Sequence, residues 1–98
     1  MSYQALLAED QRLVILRILD DMPGHQANDS ILQTILTSYG HNLSRDHVHT
    51  QLHWLAEQGL ITVADVTGIN VATITGRGSD VAGGRARQPG VKRPAPKG

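Results

Sequence analysis

Apolar residues recur along most of the chain with two different periods, and the change of period divides it into elements. From Ala5 to Leu19, the residues Leu7, Gln11, Val14, Ile15, Ile18 and Leu19 keep one side largely apolar at helical spacing, so Arg12 and Arg17 are free to face water. Asp20, Asp21, Pro23 and Gly24 end this helix, because proline cannot extend the hydrogen-bond ladder and glycine relaxes the turn. A second helix begins at Asn28 or Asp29, either of which can cap free backbone donors, and buries Ile31, Leu32, Ile35 and Leu36. Tyr39 closes its last turn and Gly40 stops it. After the short turn His41-Asn42-Leu43, Ser44 caps a third helix whose buried line is Val48, Leu52 and Leu55. Gly59 ends that helix, and Leu60 folds back on its last turn.

The period then falls to two. Ile61 and Val63 alternate with Thr62 and Ala64, and Ala72 and Ile74 alternate with Val71 and Thr73, in a β-branched setting that favours strands. Asp65-Val66-Thr67-Gly68 reads as the hairpin turn between them. Such a ribbon is marginal alone and must lean on the helices. Thr75 caps a short fourth helix through Asp80, Val81 and Ala82, which Gly76 and Gly78 weaken by roughly 1 kcal/mol each against alanine. From Arg85 onward the periodicity is lost, and Pro89, Pro94 and Pro96 stand among basic residues. The expected organisation is a folded domain over residues 1–84 and a basic, flexible tail over 85–98.

Composition narrows the choices. With 98 residues there is room for one domain, and without Phe its core must be built of Leu, Ile and Val. The absence of Cys excludes disulfides, thiolate metal sites and cysteine catalysis. No apolar stretch approaches the roughly 20 residues that span a bilayer, and no signal-peptide pattern shows, so the expectation is a cytoplasmic protein with no membrane partner. A formal net charge of zero hides a split: residues 1–76 carry Arg12, Arg17 and Arg45 against eight acidic groups, whereas residues 77–98 carry six basic groups against Asp80. A basic extension of this kind suits a polyanion; the alternatives are a solubilising tail or one that lies against its own acidic body.

Two short helices joined at Gly40 and followed by a hairpin have the order of a winged helix-turn-helix, in which the second helix of the pair keeps its outer face free for a DNA major groove. The stretch Leu43-Ser44-Arg45-Asp46-His47-Val48 through Gln51-Leu52-His53-Trp54-Leu55-Ala56-Glu57-Gln58-Gly59-Leu60-Ile61 resembles the recognition-helix signature of ArsR-type and related winged-helix regulators. Ile74-Thr75-Gly76-Arg77-Gly78 through Asp80-Val81-Ala82 is similar to their junction of strand and last helix, and the whole resembles small winged-helix proteins of Mu-like phages and prophages. The likeness covers about residues 5–84. It implies a mainly α domain with a small β-hairpin (α+β), a three-helix core with a two-stranded wing and a short fourth helix. It also implies binding of double-stranded DNA, a homodimer as one possible state, and a regulatory role.

On a helical wheel Val48, Leu52 and Leu55 point inward while Asp46, Thr50, His53 and Glu57 point away. The expected reading face is Arg45, His49, Thr50 and His53. This helix is poorly charged for contact with phosphates, having one Arg and two acids. Arg77, Arg85, Arg87, Lys92, Arg93 and Lys97 are therefore expected to supply the missing attraction, together with backbone grip from the wing. His49 and His53 have a usable metal spacing with Asp46 as a third ligand, but solvated or DNA-facing histidines are the plainer reading, and no metal or cofactor is expected. No phosphate-binding glycine loop, nucleophile elbow or HExxH motif occurs, so no enzyme is expected. Trp54 either packs against the wing or first helix or serves a subunit or protein interface with Tyr3 and Leu6. The alternative to DNA binding is a non-enzymatic interaction or assembly module on the same scaffold.

Overall fold

Ser2 Oγ accepts a hydrogen bond from Ala5 N at 3.0 Å and so starts the first helix, α1 (Tyr3–Asp21), earlier than the apolar pattern alone predicts. The computed structural model describes residues 2–95. In its second half α1 is buried on more than one stripe, with Leu13, Val14, Ile15, Leu16, Ile18 and Leu19 all inside. The cause is tertiary: the other helices and the sheet pack around this rod.

A 3-10 turn at Pro23–His25, where Gly24 and His25 take positive φ, redirects the chain into a short strand, β1 (Gln26–Asn28). Asn28 is also the cap of α2 (Asp29–Ser38), its Oδ1 accepting from Ile31 N at 2.8 Å. Ser44 Oγ accepts from His47 N at 3.1 Å and opens α3 (Arg45–Glu57). Leu60 N returns to Leu55 O at 3.1 Å across Gly59, which has a φ of 75°, and Leu60 is fully buried, as its place after the glycine predicts.

The hairpin is β2 (Ile61–Val66) and β3 (Ile69–Ile74), with Val66 opposite Ile69. Thr67 and Gly68 both have positive φ, and Asp65 Oδ1 accepts from Gly68 N at 2.8 Å; a two-residue turn of this hand matches the twist of the strands it joins. The sheet has a third strand that the sequence pattern does not reveal: the order is β1-β3-β2, with Ala27 opposite Ala72. Three residues are too few to display an alternation. Thr75 Oγ1 accepts from Gly78 N at 3.0 Å at the start of α4 (Gly76–Ala82). A Cβ at Gly78 would lie 2.0 Å from Leu60 O, so the residue that weakens this helix intrinsically is what lets it pack.

Val48, Leu52 and Leu55 are at most 1% exposed and meet Ile15, Leu16, Leu19, Leu32, Leu36, Leu60, Ile61 and Ala72 in one cluster. This is the expected α+β, winged-helix-like arrangement. Among the described residues no helix is long and apolar enough to cross a membrane.

After α4 the chain departs from expectation. In place of a free tail, residues 85–94 form a loop laid on the body. Ala86 and Val91 pack on the core, Lys92 N donates to Glu9 O at 3.2 Å, and Arg12 Nη1 donates to Gly90 O at 2.9 Å. The ends of the loop meet, since a Cβ on Gly84 would stand 3.6 Å from Pro94 Cγ. Its anchors are two small apolar side chains and a few polar contacts at irregular spacing, which a periodicity test does not detect.

Candidate nucleic-acid interface

α3 is held from one side only. Val48, Gln51, Leu52 and Leu55 are buried, while Arg45, Asp46, His47, Thr50, His53 and Glu57 are exposed. Arg45 Nε donates to Gln33 Oε1 at 3.3 Å and ties the first turn of α3 to α2. Thr50 Oγ1 donates to Asp46 O at 3.1 Å, so its oxygen remains an acceptor on the open face. His53 stands beside it, exposed.

His49 is placed differently from the expectation. Its Nε2 donates to Asp29 Oδ2 at 2.6 Å, and the Asp29 side chain is 6% exposed. Burial pushes the Asp29 carboxyl up, but hydrogen bonds from His49 and from Ser30 N outweigh it and hold the group below its ordinary value. His49 is thus a strut between α2 and α3, with 30% of its side chain still exposed. Among the described residues no group of three or more potential metal ligands stands together.

A second pair joins the turn before α3 to α1. Buried His41 donates from Nε2 to Asp10 Oδ2 at 2.6 Å, and Asp10 Oδ1 accepts from Lys92 Nζ at 3.3 Å. Here too burial acts upward on the carboxyl and is outweighed by the bonds from His41 and Lys92, leaving it lowered.

The basic residues expected to meet phosphates divide into groups. Arg85 donates to Asp80 Oδ1 at 3.0 Å, and Lys92 is held by Asp10, so both are paired with the body's own acids. Arg77 Nη2 donates to Gln88 Oε1 at 3.1 Å and to Arg87 O at 3.4 Å. Arg77, Arg87 and Arg93 are exposed, and among the described residues none of the three has a carboxylate within ion-pair distance. Lys97 lies outside the described residues. The hairpin carries no Lys or Arg, and Val66 and Ile69 at its tip are 52% and 46% exposed.

Arg12 corrects the expectation that it faces water. Its guanidinium lies 4.0 Å above the Trp54 ring, and its Nε donates to Gln51 Oε1 at 2.9 Å. Gln51 Nε2 in turn donates to buried Gln11 Oε1 at 2.8 Å. Trp54 therefore packs against α1 and the C-terminal loop and is half-buried. Tyr3 and Leu6 remain exposed at 74% and 53%. The roles of Arg12, Gln51, Gln88 and Gly90 have no sequence signal, because each depends on a partner far away in the chain.

These features define a small winged-helix-like α+β domain with one helix face left open between a hairpin and a docked basic loop. No family model matches the chain. It is 59% identical over 92 residues to the Escherichia phage Mu protein described as "Uncharacterized protein gp26", covering 94% of this chain and 95% of that protein. It is 50% identical over 78 residues to an uncharacterized protein of Haemophilus influenzae, covering 79% of this chain and 76% of that protein. The chain belongs to the family of the phage Mu protein gp26.

Proposed function

We propose that this chain binds double-stranded DNA as a regulator of the ArsR-like winged-helix kind, reading a major groove with the outer face of α3. The observation that carries this reading is the one-sided burial of α3. Val48, Leu52 and Leu55 fix the rod, while Arg45, Thr50 and His53 stay open with donors and acceptors suited to base edges and phosphates. Asp46 and Glu57 on the same face oppose a purely electrostatic attachment, so selectivity at short range has to contribute more here than in a strongly basic helix. The Arg12 guanidinium over the Trp54 ring takes that residue out of the surface a protein-partner reading would use, while Tyr3 and Leu6 stay exposed.

The test is amide chemical-shift mapping of the full chain against specific and random duplexes, with Thr50→Ala and Arg45→Ala as variants. Shifts over Arg45, Thr50 and His53, and weaker binding in both variants, are expected. Shifts confined to α1 and the hairpin, or no duplex binding at low salt, would overturn the reading and favour the assembly module.

A further inference from the structure

The C-terminal loop grips the flank of the helix assigned above to groove reading. Gln51 and Trp54 of α3 and its C-cap Gln58 lie along one side, and each is engaged. Arg12 bridges Gln51 Oε1 and Gly90 O, both at 2.9 Å, while its guanidinium covers Trp54. Gln88 Nε2 donates to Gln58 Oε1 at 3.3 Å, and Gln88 Oε1 accepts from Arg77. We infer that residues 85–94 are a docked arm for the phosphodiester backbone of duplex DNA, presenting Arg87 beside Arg77 of α4 at the end of α3, with Arg12 and Gly90 as its positioning residues. This rests on the DNA reading above and adds to it how the missing positive charge is supplied.

Three observations support the assignment. First, Arg77 and Arg87 are exposed and without a carboxylate partner among the described residues, whereas Arg85 and Lys92 are tied to Asp80 and Asp10. Of the loop's own cations, Arg85 and Lys92 fasten it while Arg87 and Arg93 remain available, and Arg77 of α4 stands beside the Arg87 backbone. Second, Arg77 is held in place: its guanidinium reaches both Gln88 and the Arg87 carbonyl, and Gln88 is fastened to Gln58, the C-cap of α3. A cation already ordered loses less freedom on meeting a phosphate than one on a loose chain. Third, the docking depends on a glycine. Gly90 has a φ of +92°, and a Cβ there would stand 2.5 Å from Trp54 Cζ2 and 3.3 Å from Arg12 Nη1. Any side chain at this position strains the backbone and pushes the loop off the indole.

Gly90→Ala is therefore a way to detach the arm without altering a single charge. The experiment titrates fluorescently labelled duplex DNA with the full chain over a range of salt concentrations, and reads Trp54 emission separately in the absence of DNA. Comparison is with the double variant Arg77→Gln, Arg87→Gln, and with the three substitutions combined. In Gly90→Ala the Trp54 emission should change while the helical circular dichroism is kept, and the slope of log affinity against log salt should flatten by about one to two, as loss of that many phosphate contacts requires. The double variant, which also removes Arg77 of α4, should flatten it at least as much, and the combination no further than the double variant. Duplex binding with a wild-type slope in a Gly90→Ala chain whose Trp54 emission has changed would overturn the arm but leave the α3 reading intact. Unchanged Trp54 emission would overturn the positioning role of Gly90. Absence of duplex binding by the wild-type chain would overturn both readings together.

Discussion

The hairpin and the C-terminal loop both lie beside α3, and they are built in opposite ways. The hairpin is regular, closed by backbone hydrogen bonds in an unbroken register from Ile61 opposite Ile74 to Val66 opposite Ile69, and has no Lys or Arg. The loop has no repeating backbone pattern and carries Arg85, Arg87, Lys92 and Arg93; side chains from α1, α3 and α4 hold it down. In a conventional winged helix the wing is expected to supply phosphate contacts. In this chain the loop carries the basic residues, and the hairpin tip is apolar. The two differ in how they fail as well: ladder bonds and the core beneath the hairpin make it part of the cooperative fold, while the loop rests on a few contacts that can open locally.

Substitutions can sharpen that contrast. The largest effect should come from Ile61→Ala at the root of the hairpin, where the side chain is 2% exposed; a loss of about 2–5 kcal/mol in global stability is expected by denaturant titration. A smaller global loss, about 1–2 kcal/mol, should follow Gly68→Ala, because the turn residue has a φ of +83° that an L side chain adopts reluctantly. Val91→Ala in the half-buried loop should cost less than about 1 kcal/mol globally yet change Trp54 emission, since the damage stays local. Equal global losses for Ile61→Ala and Val91→Ala would break the contrast.

The smallest effect is one of pH. The Asp10 carboxyl joins the loop to the body through Lys92 and to the turn before α3 through His41. Its value in the folded chain lies below the ordinary 3.8, so its contribution is present above that value and is lost as pH falls through the lower folded one. An acid titration followed by Trp54 emission should be flat above the ordinary carboxylate range and change below it. Asp10→Asn, which removes the ionisable group, should abolish that part of the transition. A transition unchanged in Asp10→Asn would place the acid sensitivity elsewhere.

Several elements were legible for local physical reasons. Asn28, Ser44 and Thr75 cap helices as their types and positions predict, and Val48, Leu52 and Leu55 form the inward line of α3. Caps and periodic stripes depend on neighbours within a turn or two, and neighbours in sequence are visible. The strut made by His49 was not legible, because its polarity and helical position are compatible with an open face and its partner Asp29 approaches from α2. Arg12 was misread for the same reason, its three partners lying in α3 and in the C-terminal loop.

By itself the sequence determined the helices, the hairpin, their order and the greasy side of each, because these follow from short-range spacing of side chains and from turn residues with special dihedrals. Only the tertiary structure decided that β1 joins the sheet, that His49 is a strut, and that a proline- and arginine-containing segment lies folded against α1 and α3. Each of those outcomes is an encounter between groups distant in the chain. Its energy depends on geometry that no local pattern encodes.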